Sequence, residues 1–173
     1  MNRRDTLLAL LALGAVPFGA QAQQRKMPLI GFLGTTSQST QGAVATAFAQ
    51  RLRELGWIEG HSVAIEYRWG DGRNERLAEA IAEFVRLKVD VIVTGGNAVL
   101  AAKQATSTIP IVFGLAIDPV GTGMVASLSR PGGNVTGMSL QSSDLAGKRL
   151  GIVREALPRL RRMAILANAG YPA

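Results

Sequence analysis

The chain has no cysteine and a single histidine, His61. Those two shortages remove disulfides, thiolate metal sites, cysteine nucleophiles and any metal cluster built on several histidines. A phosphate loop of the G-x-x-x-x-G-K-[ST] type and a G-x-S-x-G nucleophile elbow are missing as well. His61 stands before a strand-like stretch with no carboxylate or serine at a readable spacing, so it reads as a surface residue and not a base. Paired carboxylates occur in "RWGDGRNE", where Asp71 and Glu75 read as a helix cap and a solvated face. Internal repeats and low-complexity segments are absent from the body of the chain, and no apolar run reaches the roughly 20 residues of a bilayer span.

The longest apolar stretch, Thr6 to Val16, follows Arg3 and Arg4 and precedes Ala20-Gln21-Ala22. That layout is an export signal with cleavage after Ala22, and the arginine pair leaves the Sec and twin-arginine routes both open. The whole chain has 173 residues, with 19 Lys and Arg against 12 Asp and Glu. Its positive balance raises the question of nucleic acid. The densest basic run, "RLRRM" from Arg159 to Met163, is short and has no aromatic interleaving, so it reads as a solvated connection and no nucleic-acid partner is expected.

Beyond the signal, apolar runs alternate with helical patterns. "PLIGFLG" (28–34) reads as a strand and "GAVATAFAQRLRELGW" (42–57) as a helix with Phe48, Leu52 and Leu55 inward, closed by Gly56 and Gly60. "SVAIEYRW" (62–69) alternates Val63, Ile65, Tyr67 and Trp69 like a strand near a sheet edge. A second helix carries Leu77, Ile81, Phe84 and Val85 inward, with Asp71 or Asn74 as its cap. "DVIVT" has the apolar character of a central parallel strand. "AVLAAKQAT" reads as a helix and "PIVFG" (110–114) as a buried strand. A short helix from Gly121 to Leu128, the turn "RPGGN", the strand "VTGMS", a helix over 144–158 with Leu150, Val153 and Leu157 on one face, and the strand "MAILAN" complete the pattern. Regular β and α alternation predicts an α/β fold, a parallel sheet with helices on both faces.

In such a sheet ligands sit beyond the carboxyl ends of the strands. The first strand ends in Gly34-Thr35-Thr36-Ser37, the third in Thr94-Gly95-Gly96-Asn97, and the fourth in Gly114 to Asp118-Pro119. Glycines let a ligand approach the backbone, and Asn97 is expected to cap the following helix while amide donors face the cleft. A carboxylate suits those donors. The same residues also fit an ordinary turn, and Asp118-Pro119 fits a helix cap with proline at the first helical position. "GTGMVA" (121–126) matches the dinucleotide pattern G-x-G-x-x-A, with Asp144 about twenty residues on, but Asp118-Pro119 separates it from the strand and Pro131-Gly132-Gly133 follows closely. The rim loops carry no catalytic constellation, which favours binding over catalysis and calls for no cofactor.

Taken together, "IGFLG", "LRELGWIEGHSVAIEYRW", "KVDVIVTGGNAVLAAKQATSTIPIVF", "DPVGTGMVASLSRPGGNVTGMS" and "GKRLGIVREALPRLRRMAILAN" resemble the substrate-binding proteins of ABC transporters related to tryptophan and aromatic amino acid binding proteins. The resemblance runs from about Pro28 to the last residue, and "RPGGNVTG" and "TSTIPIVF" are its most specific parts. It implies a type I periplasmic binding protein fold, two α/β lobes joined by a hinge, working in the periplasm with a small-molecule ligand and an ABC permease of the inner membrane. On that plan residues 28–137 form the first lobe, and 138–173 supply a hinge crossing at Met138 to Ser143 and the start of an incomplete second lobe. Thr35, Thr36, Gly95, Gly96, Asn97 and Asp118 are the ligand positions it implies. Stopping at "NAGYPA", just after a strand, the chain is expected to lack most of the second lobe. A nucleotide- or dinucleotide-dependent enzyme and a non-functional fragment are the alternatives. Oligomeric state is not legible.

Overall fold

A glycine and a phenylalanine side by side in the first strand set the layers of this fold. The protein was analysed as a computed structural model that describes residues 27–140 and 144–164. The export signal, residues 141–143 of the expected hinge crossing and nearly all of the expected strand "MAILAN" lie outside the described residues. Strand β1 (Leu29–Gly34) carries Gly31 and Phe32, whose neighbours project to opposite faces because the strand repeat is two. Phe32 packs on Phe48 of helix α1 (Gln38–Glu54), with ring centroids 5.5 Å apart. On the other face, a β-carbon at Gly31 would stand 2.7 Å from the ring of Phe84 in helix α2 (Asn74–Leu87), so the glycine makes room for that ring. Helices therefore cover both faces of the sheet, as the alternation predicts.

Strand β2 (Ala64–Trp69) lies outside β1, and β3 (Val91–Thr94) lies on the other side of it, followed by β4 (Ile111–Ile117) and β5 (Val135–Leu140). Sheet order is β2-β1-β3-β4-β5 and every pairing is parallel. Helix α3 (Ala98–Ala105) packs against α2, and between them and the sheet lies the main core, with Ile81, Phe84, Ile92, Val99 and Ile111 fully buried. Helix α4 (Asp144–Ala156) follows β5. The face expected on α4 is not buried among the described residues, since Leu150 and Leu157 are exposed.

Two stretches of the sequence meet at the end of the sheet where β4 and β5 begin. Asn134 of "RPGGNVTG" donates from Nδ2 to the carbonyls of Ile109 and Thr106, 2.7 and 3.0 Å away, in "TSTIPIVF". That bracket aligns β5 beside β4, where Ile111 pairs with Val135.

Several expectations change. Helix α1 starts at Gln38, earlier than Gly42, and ends at Glu54, so Leu55 lies past the helix and is exposed. Neither Asp71 nor Asn74 caps α2. Arg73 holds the cap position, Asp71 has φ +50° and pairs with Arg76, and Asn74 is already helical. Strand β4 continues past Gly114 to Ile117 through an irregularity between Phe113 and Ala116. The short helix over Gly121–Leu128 is replaced by turns. Asp118 at φ +45° and Gly123 at φ +73° break any helical run, and the Asp118 carboxylate and carbonyl take up the Gly121 and Thr122 amides.

The edge strand is tied to α2 by Arg68, whose guanidinium donates two bonds to Glu83, Nε to Oε2 at 2.8 Å and Nη2 to Oε1 at 2.7 Å. These hydrogen bonds are the main reason the Glu83 carboxyl is held below the usual carboxylate range. Tyr67, two-thirds of the way along the same strand, is pushed up from 10.0 to about 12 by burial first, then by the charge of Glu59 and by the hydrogen bond its hydroxyl donates to Glu59 at 3.4 Å. Because the folded value exceeds the unfolded one, the contribution of neutral Tyr67 to stability is full below about pH 10 and is lost as pH rises through about 12. Tyrosinate absorbance in a Tyr171→Phe background, which leaves Tyr67 as the only tyrosine, should show a midpoint near 12, falling when Glu59→Gln is added. A midpoint at the ordinary phenol value would remove this account of the edge.

Candidate functional site

The sheet order reverses direction between β1 and β3, and the carboxyl ends of those neighbouring strands form the switch point where parallel α/β sheets receive ligands. Thr94, the last residue of β3, donates its buried hydroxyl to the Leu33 carbonyl at 2.9 Å and so joins the two strands just beneath the rim. From that floor rise Thr35 and Thr36 on one side and Gly95, Gly96 and Asn97 on the other. Gly96 takes φ +56°, a conformation that favours glycine, and the chain turns from it directly into α3.

Asn97 does not cap α3. It is itself in a helical conformation, and its Nδ2 donates to Oδ1 of Asn74 at 2.7 Å, which links the beginnings of α3 and α2. The consequence favours a ligand, because no side chain occupies the start of α3 and the Gly96 and Asn97 amides donate to no acceptor among the described residues. Helices α1 and α2 likewise begin on this rim without a side-chain cap. Unsatisfied amides and the positive end of the helix dipole make such starts receptive to an anion.

The opposite wall is more constrained. The Thr36 amide donates to Oε1 of Gln41 at 3.0 Å, while the carbonyls of Thr35 and Thr36 accept the amides of Gly72 at 2.9 Å and Asp71 at 3.3 Å. Thr36 Oγ1 is buried and has no hydrogen-bond partner among the described residues. A buried hydroxyl left unpaired is costly, and a ligand polar group in the crevice would relieve it. Trp69 closes the outer end of this wall, its ring lying over Gly34 and 6.0 Å from Phe32.

Asp118 stands apart from this group. It follows β4, one strand beyond β3, and its Oδ1 accepts the Gly121 amide at 2.9 Å within its own turn. The structure thus brings five of the six expected positions together around β1 and β3, and gives Asp118 a turn to hold. Gln41, Asp71 and Asn74 escaped the sequence reading as parts of the rim, and Trp69 reads from sequence first as a packing residue. Gln41 had a legible signal, for a glutamine shortly after Ser37 can reach back to the entering chain as in a capping box. The G-x-G-x-x-A match at 121–126 lies in turns that open no helix, which removes the dinucleotide site it suggested. Among the described residues no group of three or more His, Cys, Asp or Glu side chains could hold a metal, and no helix is long and apolar enough to cross a membrane.

The sequence model of a family described as "ABC transporter substrate binding protein" matches residues 30–173. The chain belongs to that family. Among curated relatives of this ABC substrate-binding chain, the tyrosine-binding protein of Clostridioides difficile (strain R20291) is 27% identical over 149 residues, covering 86% of the chain and 43% of the relative. Solved structures agree with this family and fold. An ABC domain from Streptococcus pneumonia in complex with L-Trp is 27% identical with a TM-score of 0.61, covering 66% of the chain and 39% of its own length. A conserved domain protein from Vibrio cholerae is 29% identical with a TM-score of 0.67, covering 78% and 45%. An open, ligand-free substrate binding protein with adhesive properties from Clostridium difficile is 26% identical with a TM-score of 0.63, covering 76% and 44%. The family member described here spans less than half the length of each.

Proposed function

We propose that the chain supplies the first lobe of an exported solute-binding component of an ABC importer, and that the β1/β3 rim receives the carboxylate of an amino-acid-like ligand. The observation that carries this reading is the pairing of an uncapped helix start at Gly96-Asn97 with a buried, unpartnered Thr36 hydroxyl across the same switch point. Relatives that bind tyrosine and tryptophan make an aromatic amino acid the first ligand to try. On this reading residues 1–22 are the export signal, 28–137 the first lobe, and 138–173 a hinge crossing with the start of a second lobe, in the periplasm beside an inner-membrane permease. The proposed lobe boundary falls inside β5, so Met138 to Leu140 belong to the sheet of the first lobe. Leu115, Ile117, Met138 and Leu140 expose apolar surface on the last two strands, where we place the remainder of a full-length member. On this reading the role is capture and delivery.

Thermal unfolding with a panel of amino acids tests this directly. L-Tryptophan or L-tyrosine at a hundred times its dissociation constant should add about 2.7 kcal/mol of stability. Tryptamine and tyramine, which lack the carboxylate, should add nothing at the same concentration. Equal shifts from acid and amine would put the anion seat elsewhere, and no shift from any amino acid would sink the reading. Affinity in two-lobed binders comes from burial between both walls, so the same panel belongs also on a full-length relative that carries this first lobe.

A further inference from the structure

We propose that Gln41 is the positioning residue that sets the Thr36 hydroxyl for the ligand, an inference that rests on the reading of the rim given above. Gln41 lies in the first turns of α1 and reaches back over the loop that enters the helix. Its Oε1 accepts the Thr36 amide at 3.0 Å, and its Nε2 reaches Thr35 Oγ1 at 3.5 Å. From the other side the β2–α2 turn grips the same two residues, with the Gly72 amide on the Thr35 carbonyl and the Asp71 amide on the Thr36 carbonyl. The dipeptide is thereby fixed on both flanks, and among the described residues Thr36 Oγ1 is the buried side-chain polar atom left unpaired. Gly34 belongs to the same device. A β-carbon there would stand 3.0 Å from Gln41 Oε1 and would also meet the Trp69 ring, so a glycine is what admits both side chains.

One consequence is chemical. Because Gln41 already occupies the Thr36 amide, the β1 wall offers a ligand a hydroxyl, and the free amides lie across the crevice at Gly96 and Asn97. The two walls therefore have different tasks: the β3 side takes negative charge, and the β1 side takes a neutral or cationic polar group, such as the amino group of an amino acid. Preorganising that hydroxyl lowers the ordering cost that binding would otherwise carry.

The test compares wild type, Gln41→Met, Gln41→Glu, Thr36→Val and the double variant Gln41→Met/Thr36→Val by calorimetric titration with L-tryptophan and L-tyrosine, alongside unfolding of the ligand-free chains. Methionine keeps the length and removes both bonds; glutamate keeps the acceptor for the Thr36 amide. Gln41→Met should weaken binding about tenfold, and Gln41→Glu less than about threefold, as expected for one hydrogen bond acting through another group. The ligand-free Gln41→Met chain should unfold at a somewhat lower temperature because the Thr36 amide loses its acceptor, while Gln41→Glu should stay close to wild type. Adding Gln41→Met to Thr36→Val should cost almost nothing further, since the residue acts through that hydroxyl. Wild-type affinity in Gln41→Met, or losses that simply add in the double variant, would overturn the role of Gln41 while leaving the rim reading intact. Should Gln41→Met unfold, Gln41→Glu carries the test, and a full loss of affinity in a folded Gln41→Glu overturns the proposal. Absence of binding by the wild-type chain would fail the rim reading first and this inference with it.

Discussion

Replacing Phe84 with alanine lowers the stability of the fold by about 3–5 kcal/mol, the range for emptying a phenylalanine site in a packed core. Phe84 is 0% exposed and joins α2 to the middle of the sheet. Its ring lies against Gly31, where a β-carbon would come within 2.7 Å, so nothing else stands ready to fill the space it leaves. The surrounding strands pair on both sides of β1 and cannot close inward without breaking a ladder. Urea denaturation should show a lower midpoint with an unchanged slope. The pair also makes a cycle. Gly31→Ala alone should destabilise by pressing on the ring, and combined with Phe84→Ala it should cost less than the two losses added, because the new methyl then enters vacated space. A loss under about 1 kcal/mol in Phe84→Ala would show that α2 holds to the sheet by other contacts.

Gly137→Ala should be the second large effect, about 1–3 kcal/mol or more. A β-carbon at this position would collide with the carbonyl oxygen and the ring of Phe113, its register partner on β4. A flexible side chain could swing away, but the carbonyl belongs to the strand itself. Relief therefore requires β5 to move off β4, and the irregularity after Phe113 offers the place to start. Amide exchange distinguishes this from general weakening: protection should fall over Val135–Leu140 while β1 and β3 keep theirs. Alanine accepted with unchanged protection would mean that β4 and β5 adjust more easily than their pairing suggests.

Much of this architecture is legible in the sequence because it is written in local period. The two-residue alternation of Ile65, Tyr67 and Trp69 marks an edge strand, and the spacing of Leu77, Ile81 and Phe84 marks the buried stripe of α2. The unbroken apolar character of Val91 to Val93 marks a strand between neighbours. Element bounds aside, the misreadings of Asp71, Asn97 and Asp118 have a different cause, a partner distant in the chain or an unusual backbone conformation. Asn97 looks like a helix cap until Asn74, 23 residues earlier, takes its amide. Asp118 and Gly123 adopt positive φ and turn a helical-looking segment into turns. The quoted stretches "RPGGNVTG" and "TSTIPIVF" carry the family resemblance most strongly, yet they meet through Asn134 where β4 and β5 begin, away from the rim. A sequence signature can therefore identify this family through what aligns its strands and say little about what its members hold.

The central place of β1 also sets a timetable. Its backbone must find β2 on one flank and β3 on the other, and the bond from Thr94 to Leu33 spans 61 residues of chain. A strand made early in synthesis thus completes its pairing only after two crossovers have been produced. Local contacts in the helices can form at once, but the sheet nucleus must wait for loop closures that carry an entropic cost, and chains of this contact order fold more slowly than helical bundles of similar size. Until β3 emerges, the Ile30-Gly31-Phe32-Leu33 segment can pair with β2 alone, and its other edge is an open, apolar strand edge that a chaperone could cover.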